Sequence, residues 1–235
     1  MSAAQPALAR EDAVEIPLAQ WMRGLQAHFE QRAAERLPDS ATEPSRLHAA
    51  MRYAVLDGGK RIRPLLVYAA GEAAGANRDA LDHLALAVEY VHAYSLVHDD
   101  LPCMDNDVLR RGKPTVHVAY GEATAMLAGD ALQAEAFRLL GEAPLPADVR
   151  LDLVLELARA AGTEGMCGGQ AIDLDALGRK IDADGLERMH RMKTGALLRA
   201  SVLLGARAGF GASGGFAFLS SGSDTQMEVP RPTSL

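Results

Sequence analysis

Carboxylates and cations crowd into one short stretch of this chain. Residues 98–115, "HDDLPCMDNDVLRRGKPT", set Asp99, Asp100, Asp105 and Asp107 around Pro102 and follow them with Arg110, Arg111 and Lys113. Clustered aspartates commonly form a solvated turn. Here the run before them, "LDHLALAVEYVHAYSLV", is so apolar that its helix must be largely buried, so the carboxylates emerge at the end of a core element. At about 100° per residue, His92 and Asp99 lie within roughly 20° of each other on one helix face and can look into one cavity. Asp99 and Asp105 would stand about 120° apart on a regular helix, too far to share an ion. Pro102 removes a backbone donor and pushes Leu101 away from helical angles, so the helix should end or distort there, and the break can swing Asp105 back toward Asp99. Carboxylate oxygens without a His or Cys completing a tetrahedral set suit Mg²⁺, which keeps waters and shares its shell with phosphate.

Two groups of cations fit that chemistry. "DGGKRIRP", residues 57–64, places Gly58 and Gly59 before Lys60, Arg61 and Arg63, and "LRRGKPT" repeats the theme with Arg110, Arg111 and Lys113. Either stretch alone reads as a loop. Together, beside the aspartates, their Arg forks and Lys point charges suggest a bound polyanion screened by metal. A third group comes from "GMCGGQAIDLDA", with Gly168, Gly169, Gln170 and Asp173, and from "HRMKTGALLRAS", with Lys193 and Thr194. Close helix packing would explain the glycines, a satisfied buried amide Gln170, and a surface cation Lys193.

Helices must position these groups. Helical periodicity runs from Leu18 to about Leu204 and predicts helices over 18–37, 44–56, 63–75, 79–99, 118–141, 147–161 and 183–206, with no convincing alternating strand pattern. Aromatics are 5% of the 235 residues against 49% hydrophobic, which favours an all-α bundle packed through small and unbranched side chains. A formal charge of −7 argues against a general nucleic-acid binder. Two cysteines, Cys103 and Cys167, are too few for a disulfide framework, and no stretch has the length of a signal-peptide core or membrane span. A soluble, cytoplasmic protein is expected. Residues 209–235, with five Gly, five Ser and two Pro, read as a poorly packed end.

In combination, "GGKRIRP", "HAYSLVHDDLPCMDNDVLRRGKPTVH", "AGDAL", "GGQAIDL" and "MKTGALLRAS" resemble the trans-isoprenyl diphosphate synthases, most closely the bacterial farnesyl diphosphate synthases. The resemblance implies an isoprenoid-synthase-like helical bundle with a central cavity, joining an allylic diphosphate to isopentenyl diphosphate. By motif, Asp99 and Asp105 would hold Mg²⁺, with Mn²⁺ as a substitute, and Asp100 would support them. Arg110 and Lys193 would grip the allylic diphosphate. Lys60, Arg63, His92 and Arg111 would bind isopentenyl diphosphate, and Thr194, Gln170 and Asp173 would line the reacting end. Tyr94, five positions before Asp99, with Ser95 beside it, would limit product length to that of farnesyl diphosphate, and a homodimer is implied.

The resemblance covers 18–208, leaving 1–17 as an N-terminal extension and 209–235 as a divergent tail. Asn106 and Val108 stand where many relatives have Asp, and no second DDxxD motif follows. The expectation is therefore a bundle missing its C-terminal helices, with activity impaired by truncation or a frameshift. The other readings are a prenyl diphosphate-binding fragment or partner subunit, and a terpene cyclase, which would not need the isopentenyl diphosphate site.

Overall fold

A computed structural model describes residues 17–56 and 58–212. Ten α-helices occur among them: α1 Leu18–Arg36, α2 Ser45–Val55, α3 Ile62–Ala73, α4 Arg78–Asp99, α5 Val116–Tyr120, α6 Glu122–Glu142, α7 Ala147–Ala161, α8 Met166–Asp175, α9 Ala183–His190 and α10 Ala196–Ala212. A single π-turn, Arg191–Gly195, joins α9 to α10, and one hairpin of two short strands, β1 Leu109–Arg110 and β2 Lys113–Pro114, pairs antiparallel. The all-α expectation is met.

The central element is α4. Asn77 caps it by accepting from the Asp79 N–H at 2.8 Å, which satisfies one of the free donors of the first turn. Its 22 residues extend about 33 Å, long enough to cross the bundle. Nearly every residue from Ala80 to Val97 is buried, as the apolar run requires. α6 packs along one side of α4, and α3 packs between α4 and α10. The core clusters around Tyr68, Leu84, Val88, Val91, Leu132 and Leu197.

Four features depart from the sequence reading. The helix expected over 118–141 is two, because Gly121 at φ 85° turns the chain between α5 and α6. α8 was concealed by its glycines, which weaken helical propensity but here allow close packing. The helix expected over 183–206 is interrupted by the π-turn that carries Lys193 and Thr194. Finally, α10 continues through 209–212: a Cβ on Gly209 would lie 2.2 Å from the Ala74 carbonyl oxygen, so its absence lets the end of α10 approach the end of α3. Most of the N-terminal extension, 1–16, and of the tail, 213–235, lies outside the described residues. Among those described, no helix is long and apolar enough to cross a membrane.

Candidate active site

α4 delivers two consecutive aspartates to different places. Asp99 ends the helix and faces a cavity, whereas Asp100, the C-cap, turns beneath the hairpin. The chain then folds back through Pro102, and the Asp105 N–H donates to the Asp99 carbonyl at 2.9 Å. That bond returns Asp105 to the neighbourhood of Asp99, as the proline break predicted. Burial raises the Asp99 pKa most; Lys193 opposes this, and the Asp105 charge adds to it. The half-buried Asp99 carboxylate thus has another acidic charge close by and donors that are hard oxygens alone. Such a pair fits a divalent cation that takes its remaining ligands from water and phosphate. Among the described residues, no three His, Cys, Asp or Glu side chains gather at metal-binding spacing.

Asp100 is committed to Arg110. The guanidinium donates from Nε at 3.0 and 2.9 Å and from Nη2 at 2.6 Å, and this fork raises the Arg110 pKa. The pair lines a separate pocket beneath the hairpin with Tyr53, Arg111 and Lys113. Asp100 therefore acts on the acidic corner through Arg110, not as a third free carboxylate.

The first cationic loop forms a pocket of about 430 Å³ with the start of α3, the middle of α4 and the hairpin turn. Lys60, Arg63, His92 and Arg111 all line it, so the four residues assigned from the motifs come together. Gly59 makes this possible. It sits at φ +100°, and a Cβ there would lie 2.5 Å from Arg111 Nη1, so the guanidinium occupies the space of the missing side chain. Burial, and then the charges of Arg63 and Arg111, push the His92 pKa down to about 3, leaving the ring neutral at physiological pH. His92 consequently offers a hydrogen bond, not a charge.

Folding depresses this pKa, so the stability carried by the neutral ring is complete above about 6.5 and is lost as pH falls toward 3. Between pH 7 and pH 5 a His92→Gln variant should lose less stability than the parent, by on the order of 2 kcal/mol. Urea titrations at the two pH values measure this; equal losses would show that folding does not depress the pKa of the ring.

Arg63 and His92 also line a second, largely apolar cavity of about 480 Å³. Asp99, Gln170, Lys193 and Thr194 share its wall, together with Tyr94, Ser95, Leu101, Met104, Met126, Met166 and Cys167 among others. The Tyr94 hydroxyl lies 3.9 Å from Cys167 Sγ, and the His98 ring packs edge-on against the phenol with centroids 5.8 Å apart.

The far wall is built by α8 and the π-turn. A Cβ on Gly169 would meet the Lys193 backbone nitrogen at 2.2 Å, so close packing does explain this glycine. Lys193 is no surface cation: its Nζ donates to Asp173 Oδ2 at 2.5 Å. Nor is Gln170 a satisfied amide, since its Oε1 is buried without a hydrogen-bond partner. A π-turn adds one residue to a helical turn and turns side chains off the regular face, a device frequent at functional sites.

The structure thus gathers Asp99, Gln170, Lys193, Thr194, Tyr94 and Ser95 about one cavity and Lys60, Arg63, His92 and Arg111 about the other. Asp100 and Arg110 lie to one side, Asp105 is exposed beside Asp99 without lining either cavity, and Asp173 reaches the site through Lys193. Sequence reasoning counted Arg61 only as one more cation of the 57–64 stretch and missed Glu89, which lines the same pocket.

Comparison with known proteins bears on the family and the fold. A family model described as polyprenyl synthetase matches residues 44–213. The chain is 58% identical over 159 residues to the farnesyl diphosphate synthase of Escherichia coli, covering 66% of this chain and 53% of that one. It is 50% identical over 184 residues to the farnesyl diphosphate synthase of Haemophilus influenzae, covering 78% and 60% respectively. The crystal structure of an FPP/GFPP synthase from Zymomonas mobilis superposes with a TM-score of 0.78 at 46% identity, over 82% of this chain and 70% of that one. The chain spans little more than half the length of the curated relatives it matches. Because the family match runs through both cationic stretches, the acidic corner and the π-turn, this chain belongs to the polyprenyl synthetase family.

Proposed function

We propose that the chain acts as a prenyltransferase, condensing dimethylallyl or geranyl diphosphate with isopentenyl diphosphate to give farnesyl diphosphate. One observation carries this reading. A pocket lined by Lys60, Arg63, His92 and Arg111 shares Arg63 and His92 with an apolar cavity that has Asp99 and Lys193 on its wall. Two anionic headgroups can therefore be held apart while their hydrocarbon ends meet in an apolar space.

Isopentenyl diphosphate binds in the basic pocket, with Arg63 and Arg111 as forks, Lys60 as a point charge and His92 as a neutral donor. The allylic diphosphate lies at the acidic corner, approached by Lys193 and Arg110. Mg²⁺, with Mn²⁺ as a substitute, would be held by Asp99 and Asp105 and would neutralise the charge that grows on the departing diphosphate. Lys193 answers the same charge, most strongly as the carbon–oxygen bond breaks. The allylic cation left behind is attacked by the isopentenyl double bond, and the proton then lost passes to the released diphosphate. Gln170 Oε1 and the Thr194 hydroxyl direct dipoles toward the cation, while the Met, Leu and Tyr walls keep out water that would quench it.

Incubation of the chain with dimethylallyl diphosphate, isopentenyl diphosphate and Mg²⁺ tests the reading. Formation of C10 and C15 diphosphates is expected, whereas cyclised product or binding without extension would refute it. Tyr94 closes the cavity against Cys167 and His98, so removal of its ring should admit a longer chain. Tyr94→Ala is expected to shift the products beyond C15; an unchanged distribution would exclude Tyr94 as the floor. Assembly as a homodimer and residence in the cytoplasm accompany this proposal.

A further inference from the structure

Arg61 and Glu89 form a buried ion pair inside a pocket that the reading above assigns to an anion. Arg61 Nη1 donates to Glu89 Oε1 at 2.9 Å, and their side chains are 3% and 5% exposed. The same guanidinium donates from Nε to Glu30 Oε1 at 2.7 Å and from Nη2 to the Val55 carbonyl at 2.6 Å, and it lies 5.2 Å from the centre of the Phe29 ring. One side chain thereby ties together α1, the end of α2 and the middle of α4.

Its backbone is equally unusual. Arg61 adopts φ 51° and ψ 37°, a left-handed conformation that a residue with a Cβ rarely takes, immediately before α3 begins. This conformation sets the direction in which Lys60 leaves the loop and the angle at which α3, with Arg63 in its first turn, begins. Gln26 on α1 adds a further tie, donating from Nε2 to the Lys60 carbonyl at 2.9 Å. Glu89 stands one helical turn before His92 on α4, and its charge favours the ionised form of Arg63 against burial.

We infer that Arg61 and Glu89 are the positioning residues of the diphosphate pocket: locked to each other, they fix the loop that presents Lys60 and the first turn of α3 that presents Arg63, and hold both against the helix that presents His92. This rests on the assignment of that pocket to isopentenyl diphosphate. Neither residue is an anion ligand. Arg61 has its donors committed to protein oxygens, and Glu89 carries the wrong charge. The strained backbone persists because the side chain beyond it is so thoroughly held.

Charge and positioning predict opposite signs for one substitution. Glu89→Gln removes a carboxylate from an anion pocket, which by Coulomb attraction alone should tighten anion binding. As a positioning residue its loss should weaken binding, because the pair that holds the loop is broken. The measurement is isothermal titration calorimetry of the full chain with isopentenyl diphosphate, and separately with geranyl diphosphate and Mg²⁺. In Glu89→Gln the dissociation constant for isopentenyl diphosphate should rise roughly 10-fold or more, the order expected when groups that orient a ligand shell are removed. That for geranyl diphosphate should rise clearly less, because its cavity shares only Arg63 and His92 with this pocket and takes its remaining wall from Asp99, Lys193 and Thr194. Glu89→Asp, which keeps the charge, should recover part of the loss. If Glu89→Gln fails to fold, Arg61→Lys carries the same test, since it retains the charge but loses the fork.

Unchanged or tighter isopentenyl diphosphate binding in the variant overturns the inference and leaves the pocket assignment standing. Equal weakening toward both ligands also overturns it, since that is the mark of a general structural role. An unaltered chain that fails to bind isopentenyl diphosphate removes the pocket assignment and the inference together.

Discussion

If the chain extends prenyl diphosphates as proposed, Asp99→Asn is expected to lower that activity by roughly 10³-fold or more, because the proposal gives Asp99 both a place on the divalent cation and a charge beside the leaving group. The same change should make the metal-free protein more stable. Burial raises the Asp99 pKa above its ordinary value of 3.8, so the folded chain holds the proton more tightly than the unfolded one. For such a group, stability falls as pH climbs through the raised value. A neutral amide of the same shape escapes that loss. Scanning calorimetry in a chelating buffer should show the melting temperature rising by a few degrees while turnover disappears, the opposition between stability and function expected of a strained site. A variant that retained turnover would remove Asp99 from the metal assignment; one that lost both turnover and stability would show that its carboxylate is structural.

A larger structural effect is expected at Gly169. An alanine methyl there would lie 2.2 Å from the Lys193 nitrogen and 2.6 Å from its Cα, both backbone atoms that cannot swing aside. The π-turn must shift, carrying Lys193 off Asp173 and Thr194 out of the cavity wall. Overpacking of this kind costs about 1–3 kcal/mol, which lowers the melting temperature of a chain this size by on the order of 5 °C. Affinity for the allylic diphosphate should fall with it. Gly24→Ala in α1 supplies the contrast, since beyond its chain neighbours and the local backbone of its own helix nothing lies within 4 Å of the added methyl. The better helix former should there stabilise by about 0.5–1 kcal/mol. Thermal melts of the two variants side by side read the comparison, and similar shifts would show that Gly169 has room to spare.

Much of this architecture was legible in the chain because it follows from local rules. The apolar run 81–97 announced a buried helix, and Pro102 announced the break that returns Asp105 to Asp99, which the hydrogen bond between their backbones bears out. What stayed hidden depends on partners distant in sequence. Nothing within "GMCGGQAID" reveals that its third glycine, Gly169, faces the backbone of residue 193, so a helix-weakening pair concealed α8. The π-turn arises where α8 crowds the start of α10, an event of packing rather than propensity. Likewise Arg61 looked like one more cation for a phosphate. Only Glu30 and Glu89, 31 and 28 positions away, make it a strut.

Arg63 and His92 form a party wall between the two chambers, and this has a thermodynamic corollary. Whatever occupies one side alters the electrostatic potential on the other, and linkage demands that the influence be mutual: each tenant changes its neighbour's affinity by an identical factor. Two polyanions divided by a single guanidinium should disfavour each other's residence, and added electrolyte should soften that antagonism.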